Sequence, residues 1–439
     1  MKLTNKYIFN LIIANLLWSF IPIVATGLFD GISIITLIVL RFLTSGIILF
    51  IIAIFIALAN NHFNQNAKIP LKEYFFNLRH KNKRFYSIRT YNYYFLIGFF
   101  GIILHILFFF FALKTTSIPF TMIGILLTII FVSLYEKGVN YEKFDVFRIL
   151  FILMLTVAII IIISVSFRGA QLSGTPIELR GIVYLILYSI TGSFLFISIE
   201  RDSFSKKELR NINKNKYYKI PRALLKMSIS FISGVIVLIP VLLIILLLPF
   251  ETDFTQETII FFNNLLSLNS ILFRWEIIYL IIFATIIPYL LIFLANVNWK
   301  TISLTYSQWS SILGLINPIS TLIFAVILSS EYFPHEYLLI VVVFLAIAVV
   351  LRYAHEVKNV INAYILLKVK KGCLNTIPIK ILKIYGIKEI YSLIGKFDLM
   401  LEVRVNSFKD FHYLINRKLM PLNEILEVEV EIINKKEKI

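Results

Sequence analysis

The sequence predicts an all-α bundle of ten membrane-spanning helices followed by a small α+β domain. Of the 439 residues, 59% are hydrophobic and only 15% are charged, and the mean hydropathy is +0.85. Soluble domains carry roughly 25% charged residues, so a water-soluble fold could not cover this much apolar surface. The apolar residues fall into ten long runs, and after Tyr353 the pattern changes to short alternating segments.

Each of the ten runs approaches the length of about 20 apolar residues that a helix needs to cross a bilayer. The first run begins after two lysines and has no small-residue cleavage site, which favours a retained span over a cleaved signal peptide. The predicted spans are Tyr7–Leu28, Ser33–Ala59, Tyr93–Leu113, Ser117–Tyr135, Phe144–Val165, Gly181–Ile199, Leu225–Leu248, Trp275–Ala295, Ser303–Leu328 and Tyr337–Tyr353.

Positive charge is distributed unevenly over the connections between these spans. With the N-terminus placed in the cytoplasm, the cytoplasmic connections hold 20 Lys and Arg residues and the opposite connections hold four. By the positive-inside rule, this predicts a multi-pass protein of the cell membrane with both termini in the cytoplasm. The rule also accounts for the net charge of +18 without nucleic acid as a partner. The long opposite connection Pro249–Arg274 is predicted to place an amphipathic helix, Thr258–Leu268, on the membrane surface.

The two halves of the apolar region echo each other. The segment LKTTS at 113–117 is similar to WKTIS at 299–303, and each precedes an apolar span that ends at a glutamate, Glu136 or Glu331. We therefore expect two copies of a five-helix unit. Because five is an odd number, the second copy enters the membrane inverted, and inverted repeats are a recurrent plan of secondary transporters.

Four segments follow one another in a distinctive order. They are NLLWSFIPIV (15–24), ISIITLIVLRFLTSGIIL (32–49), ALKTTS (112–117) with the span ending at Glu136, and NVNWKTISLTYSQWSSILGLINPISTLIFAVILSSEYFPHEY (296–337). In this order they resemble an EamA-type permease of the drug/metabolite transporter superfamily over residues 7–355. The resemblance implies an inverted-repeat fold with a central cavity that moves small metabolites. Three features depart from the family: the first half has no proline that matches Pro318, its fourth span is shorter, and both large cytoplasmic connections are longer than usual.

Polar side chains inside the apolar spans are costly, and they usually face the interior of a bundle. Arg41 is the most expensive of them, at about 2.5–3.5 kcal/mol on insertion scales. It matches an arginine common at this place in EamA-type sequences, and it is interpreted as the anchor of an anionic substrate group such as a carboxylate. The alternative is that backbone carbonyls at a helix break satisfy it, or that it snorkels. The candidate substrate and translocation residues are Asn15, Trp18, Arg41, His105, Tyr289, Gln308, Trp309 and Asn317.

Other residues receive gating, coupling or packing interpretations. His105 is a candidate proton relay, with a hydrogen bond between helices as the simpler alternative. Glu136, Pro318 and Glu331 are expected to gate or shape the ends of their spans. No Asp or Glu lies in the middle of any span, which favours a facilitator or exchanger over an ion-driven carrier.

The motifs of common enzyme classes are missing from the sequence. There is no His-Glu-x-x-His motif, no phosphate-binding glycine loop and no Walker-type lysine. Cys373 is the single cysteine, which excludes a disulfide or a thiolate metal site within one chain. We therefore expect a protein that is not an enzyme and holds neither cofactor nor metal.

After the last span, the pattern becomes that of a small α+β domain. Strands are predicted at 362–369, 389–395, 398–405 and 425–433, with helices at Thr376–Tyr385 and Phe408–Leu419. The order βαββαβ is that of a ferredoxin-like sandwich. The predicted domains of the whole chain are therefore 1–166, 167–357 and 358–439.

The phrase GIKEIYSLIGKFDLMLEVRV (386–405) resembles the effector-binding domain of the Lrp/AsnC family of amino-acid-responsive regulators. The resemblance implies a homodimer formed through sheet edges, with an amino acid bound near Gly395 and Asp398. The alternative is that both residues only shape a turn and that the tail only dimerises. A membrane region stands where the family has its DNA-binding helix-turn-helix, so DNA binding is not carried over.

Together these patterns favour an amino-acid or related metabolite exporter that is tuned by a cytoplasmic amino-acid sensor. One alternative is a membrane-anchored sensor that does not transport. Another is a permease for a different metabolite class, with a tail that only dimerises.

Overall fold

The structure is a computed structural model of the chain. The part it describes consists of two regions, an apolar helical region and a C-terminal sheet. The described residues are 2–29, 31–64, 68–75, 94–140, 146–173, 177–201, 208, 211–212, 214–247, 251–298, 306–328, 333–358, 361–370, 372–374, 376–382, 384, 386–405 and 408–432.

The helical region is built largely from long apolar helices. Two π-helical stretches, Ile97–Ile103 and Tyr279–Ile286, continue directly into α5 and α13. The helices are α1 (Lys2–Ser19), α2 (Ile21–Thr26), α3 (Ile34–Phe63), α4 (Leu71–Phe75), α5 (Leu104–Thr115), α6 (Ile118–Asn140), α7 (Val146–Ser173), α8 (Leu179–Arg201), α9 (Lys219–Leu246), α10 (Asp253–Asn263), α11 (Leu268–Leu272), α12 (Trp275–Ile278), α13 (Ile287–Asn298), α14 (Tyr306–Leu313), α15 (Ile316–Leu328) and α16 (His335–Lys358).

Nine helical segments in the described part of the chain are long and apolar enough to cross a membrane, in keeping with a multi-pass membrane protein. They coincide with nine of the ten predicted spans. The remaining prediction, Ser303–Leu328, is wrong as a single helix, because its described residues form α14 and α15 with a turn between them. Gly314 lies in that turn, and Pro318 occupies the first turn of α15, where its missing N–H costs nothing.

The first predicted span is also interrupted. α1 ends at Ser19 and α2 begins at Ile21, with Pro22 in the first turn of α2. A proline ring clashes with the carbonyl four residues earlier and removes one helical hydrogen bond. The last carbonyls of α1 are therefore free to accept from other helices, as carbonyls at helix ends generally are.

The first π-helical stretch and α9 cross in close backbone contact. A Cβ on Gly98 would lie 2.1 Å from the backbone oxygen of Ser230, and a Cβ on Gly234 would lie 2.6 Å from the backbone oxygen of Gly98. Inside a membrane the hydrophobic effect does not drive helices together, so their association depends on close packing. Small residues at such crossings allow the two backbones to touch. Any larger side chain here would push the two helices apart.

α10 lies against one end of the bundle and is called the cap helix below. Thr252 caps its N-terminus by accepting a hydrogen bond from the backbone of Thr255 at 3.2 Å. The helix begins five residues earlier than the predicted Thr258–Leu268. Its side chains Glu257, Thr258 and Phe261 are buried, so the cap helix packs on protein and is not a free surface helix.

A buried polar cluster lies among the connections predicted to be cytoplasmic. Arg222 donates through Nε to Glu208 Oε1 at 2.6 Å and through Nη1 to the carbonyl of Tyr74 at 2.5 Å. The Nζ of Lys226 lies 3.6 Å from the same Glu208 oxygen, and Asn60 donates to the Tyr74 hydroxyl at 3.1 Å. Arg222 therefore ties α9 to α4, in addition to its predicted part in orienting the chain.

The tail is a four-stranded antiparallel sheet with the order β2-β3-β1-β4. It has its own hydrophobic core, formed by the alternate residues of β1 and β3 and by the two helices that cover one face. Its first helix is shorter than the predicted Thr376–Tyr385. The elements are β1 (Ile361–Val369), α17 (Ile377–Ile381), β2 (Ile387–Ser392), β3 (Leu399–Val405), α18 (Phe408–Leu414) and β4 (Ile425–Ile432).

Candidate functional site

Arg41 lies inside the helical bundle with 2% of its surface exposed. Its Nε donates to the Thr285 hydroxyl at 2.7 Å, and its Nη2 donates to the carbonyl of Ala284 at 3.1 Å. Both partners belong to the second π-helical stretch, Tyr279–Ile286. The guanidinium also lies over the ring of Phe42, at 5.1 Å from its centre. Arg41 is therefore fixed in one orientation by backbone and hydroxyl groups of the opposite predicted repeat.

The π-helical stretch supplies these partners because its backbone hydrogen bonding is irregular. In a π-helix the ladder shifts to the fifth residue, so some carbonyls are turned away from their usual donors. The hydroxyl of Thr285 donates to the carbonyl of Leu280, five residues earlier, at 2.8 Å. The carbonyl of Ala284 accepts from Trp18 Nε1 at 3.1 Å as well as from Arg41. The predicted alternative, that carbonyls at a helix irregularity satisfy Arg41, thus holds for part of the guanidinium.

One nitrogen of the guanidinium does not take part in these hydrogen bonds. Arg41 Nη1 is buried and has no hydrogen-bond partner among the residues that the structure describes. The two hydrogen bonds of Arg41 go to uncharged groups, so neither of them neutralises its charge. A buried cation without an anionic partner is expensive in free energy, and a planar guanidinium is suited to bind a carboxylate or phosphate. Arg41 Nη1 is therefore a buried donor of the kind that binds carboxylate or phosphate oxygens.

Aromatic rings from four helices form a wall beside this arginine. Trp18 meets Tyr289 edge-on at 5.6 Å between ring centres, Tyr289 meets Phe231 at 5.2 Å, and Phe231 meets Phe42 at 5.2 Å. Such edge-to-face pairs add about 0.5–1.5 kcal/mol each beyond the area they bury. The wall offers apolar surface next to a single cationic donor, a combination that suits a small molecule with one anionic group and an apolar part.

Three of the predicted site residues thus come together, namely Trp18, Arg41 and Tyr289. Asn15 lies nearly one turn before Trp18 on α1, but its amide donates to the carbonyl of Leu11 within its own helix at 2.9 Å. Asn15 is therefore buried, and its amide nitrogen already has a partner in its own helix.

His105 belongs to a different interface. Its Nδ1 lies 3.2 Å from the carbonyl of Tyr188 on α8, and the two rings stack with centres 4.6 Å apart. A Cβ on Gly192 would lie 2.7 Å from the His105 ring, so the glycine makes room for it. This geometry matches the simpler expectation for His105, a hydrogen bond that joins two helices.

The candidate residues Trp309 and Asn317 lie on different helices, α14 and α15, with a turn between them. Trp309 packs in a satellite cluster that includes Leu11, and its ring centre lies 5.9 Å from that of Tyr353 on α16. Asn317 Oδ1 accepts from the hydroxyl of Thr321 at 3.2 Å. The side chains of Gln308 and Glu136, and the whole of Glu331, lie outside the described residues.

In the tail, Asp398 holds the β2–β3 hairpin against the end of β1. Its Oδ2 accepts from the backbone N–H of Val369 at 2.7 Å, and its own N–H donates to the carbonyl of Leu367 at 3.0 Å. Gly395 has φ +154°, and a Cβ there would meet nothing within 4 Å. The neighbouring Ile394 is fully exposed. Asp398 therefore has a structural part in shaping the turn.

The sequence reasoning missed Thr285 and the aromatic residues Phe42, Phe231 and Tyr279. Tyr279 donates its hydroxyl to the carbonyl of Leu17, a free carbonyl near the end of α1, at 3.0 Å. Thr285 is the one aliphatic hydroxyl residue in the run IIFATIIPY, which was a usable signal. The phenylalanines gave none, because the chain contains 40 of them.

Comparison with known proteins identifies the tail. Residues 362–439 match the family described as the Lrp/AsnC ligand binding domain, so the prediction from GIKEIYSLIGKFDLMLEVRV is confirmed. No match to the EamA family is found for the apolar region. A search of curated proteins gives no match. A solved structure titled "Crystal structure of protein" aligns with 79% of this chain and 96% of its own length at 12% identity, with a TM-score of 0.43, too low to indicate a common fold.

Proposed function

We propose that this protein, whose C-terminal region is an Lrp/AsnC ligand-binding domain, is a membrane transporter of small metabolites and not an enzyme. In this proposal it exports amino acids or closely related metabolites, and the tail binds such a metabolite in the cytoplasm and regulates export. The observation that carries the proposal is the joining of this ligand-binding domain to at least nine membrane-length apolar helices in one chain. A domain of this kind senses amino acids, and its attachment to a bundle suggests what the bundle handles.

The direction of transport follows from the predicted position of the sensor. A sensor in the cytoplasm reads the internal concentration, and relief of internal excess requires export. A bound ligand can shift the transporter between conformations only if it binds one of them more tightly. A tail that changes its own arrangement on binding would supply that difference.

Arg41 and its aromatic wall support a carboxylate-bearing substrate. Nη1 is a buried donor without a partner among the described residues. The rings of Trp18 and Tyr289 meet nearby, and Trp18 shares the Ala284 carbonyl with Arg41. The proposed architecture has the predicted inverted repeats, 1–166 and 167–357, in an EamA-like arrangement. The tail is proposed to be ferredoxin-like and to dimerise.

A titration of the tail tests the sensing half of the proposal. The tail closes its own core with its own residues, so a fragment from residue 359 onward is expected to fold alone. Calorimetry with each of the twenty amino acids should give saturable binding for at least one. The same amino acid with its amino group acetylated and its carboxylate amidated is the matched control, and it should not bind. If none of the twenty binds the folded tail, the sensing role is wrong, and a tail that only dimerises is the better account.

A further inference from the structure

The cap helix is tied to the rest of the molecule through one buried carboxylate. Glu257 is 3% exposed, and its Oε2 accepts from the backbone N–H of Ile34 at 2.7 Å. Its other oxygen, Oε1, lies 2.6 Å from the Nζ of Lys114. The hydroxyl of Ser33 completes the junction by donating to the backbone oxygen of Glu257 at 2.8 Å.

This junction joins two helix ends whose electrostatics both favour it. Ile34 begins α3, where free N–H groups and the positive end of the helix dipole attract a carboxylate. Lys114 is in the last turn of α5, where a cation is favoured by the negative end. Glu257 thus accepts from one helix N-terminus while it pairs with a lysine at another helix C-terminus.

A second set of contacts fastens the same helix to α8. Asp253 is ion-paired with Arg180 and accepts from the Tyr184 hydroxyl at 3.0 Å. Between the two fastenings, the ring of Phe254 packs on Phe111 of α5 at 4.4 Å between centres, and Tyr184 approaches it at 5.9 Å. An aromatic cluster of Phe254, Phe111 and Tyr184 therefore lies between the contacts of Glu257 and those of Asp253.

The first tie crosses between the two predicted repeats. Glu257 belongs to residues 167–357, whereas Ile34 and Lys114 belong to residues 1–166. Alternating access moves one repeat against the other, so the tie must break when this face of the bundle opens. Removing one partner leaves the other charge without its ion pair as long as the cap helix stays closed, so loss of either Glu257 or Lys114 should favour the open arrangement.

We propose that the cap helix is a lid over this face of the bundle, the face that the charge pattern predicts to be extracytoplasmic, and that the Lys114–Glu257 pair is its latch. The lid closes the route of the proposed substrate and opens when the latch separates. The inference rests on the proposed transport function for its purpose, but the motion of the lid can be measured without transport.

Accessibility of a buried thiol gives that measurement. With Cys373→Ser the chain has no cysteine, and Thr36→Cys then places one thiol two residues beyond Ile34. Thr36 is fully buried and its hydroxyl has no partner among the described residues, so the substitution removes no known bond. The reagent is a membrane-impermeant, cationic methanethiosulfonate, applied to the intact protein in proteoliposomes.

Two latch variants and one control are compared in this background. Glu257→Gln and Lys114→Gln should each raise the labelling rate of the thiol at least tenfold. Lys114→Gln keeps the hydrogen bond between the Glu257 carboxylate and the Ile34 N–H, so this variant tests the latch even if Glu257→Gln fails to fold. Glu251→Gln removes an exposed carboxylate from the same connection and should leave the rate within twofold of the parent. Equal rates in the parent and both latch variants would overturn the proposal.

Cross-linking supplies an independent arm. Cysteines at positions 114 and 257 are introduced into a chain that carries Cys373→Ser and keeps Thr36, and they are joined by a short bis-methanethiosulfonate reagent. The cross-link should lower amino-acid flux at least tenfold, and dithiothreitol should restore it. Full flux through the cross-linked protein would show that the lid need not open. If the unmodified protein moves no amino acid, the proposed function fails, and the labelling rates alone decide on the lid.

Discussion

Replacing Arg41 by lysine should weaken substrate binding while keeping a positive charge at the same position. Nε of the guanidinium donates to Thr285 and Nη2 donates to Ala284. Nη1 has no partner within the described part of the chain and can donate to a ligand. Lysine has one ammonium in place of this fork, so it cannot hold the π-helical stretch and a carboxylate with the same geometry. A hydrogen bond to a charged group contributes about 1.5–3 kcal/mol, which corresponds to a loss of affinity of about 10- to 150-fold.

The assay is counterflow in proteoliposomes that contain a mixture of the twenty amino acids, with mass spectrometry to identify which are exchanged. Arg41→Lys should raise the half-saturating concentration of the exchanged amino acid by about 10- to 150-fold. Thr285→Val removes one orienting bond and should raise it by a smaller factor. Arg168→Lys, at an exposed position, is the matched control and should match the parent.

An unchanged half-saturating concentration in a folded Arg41→Lys protein would refute this reasoning. It would mean that Nη1 receives no substrate oxygen, and that Arg41 serves only to join α3 to the π-helical stretch.

Three further predictions concern stability. Gly98→Ala should lower the free energy of unfolding of the detergent-solubilised protein by about 1–3 kcal/mol, because the added Cβ meets a backbone oxygen of α9. Gly31→Ala is the control and should be neutral, because a Cβ there meets nothing within 4 Å. Asp398→Asn should destabilise the isolated tail by about 1 kcal/mol in urea unfolding, since the bond to the end of β1 loses its charge; no change would remove Asp398 from the account of the hairpin. The hydrogen bond from Lys380 lowers the pKa of Glu424 below its usual value of 4.5. The stability that this pair contributes to the folded tail is therefore present above pH 4.5 and is lost as the pH falls through the lowered pKa. The Tm difference between the tail and its Glu424→Gln variant should therefore shrink on acidification, and a difference that grew would contradict the assigned pair.

Sequence patterns located most of the architecture because hydrophobicity and alternation are local properties. Apolar length set nine of the spans, and the period of two set the strands of the tail. Where a helix breaks was harder to predict, since Pro22 and Pro318 are compatible with a kinked helix as well as with two helices. Only packing against neighbours decides between those outcomes.

The candidate site was predictable in its centre and not in its surroundings. A buried arginine is conspicuous in an apolar run, so Arg41 and the nearby Trp18 were found from sequence alone. Its partners on the π-helical stretch were not, because a π-helix leaves no simple mark in residue spacing. Glu257 lies in the long connection Pro249–Arg274, and no local pattern indicates that it caps a helix more than 200 residues away.

The central claim is that an amino-acid sensor controls a transporter within one chain, and flux tests it most directly. Amino-acid efflux should be measured from proteoliposomes that contain either the whole chain or the chain without residues 362–439. The account predicts that the amino acid bound by the tail changes efflux through the whole chain and has no such effect on the truncated one. If truncation alters neither basal efflux nor its response to amino acids, or if neither form moves any amino acid, the account is contradicted.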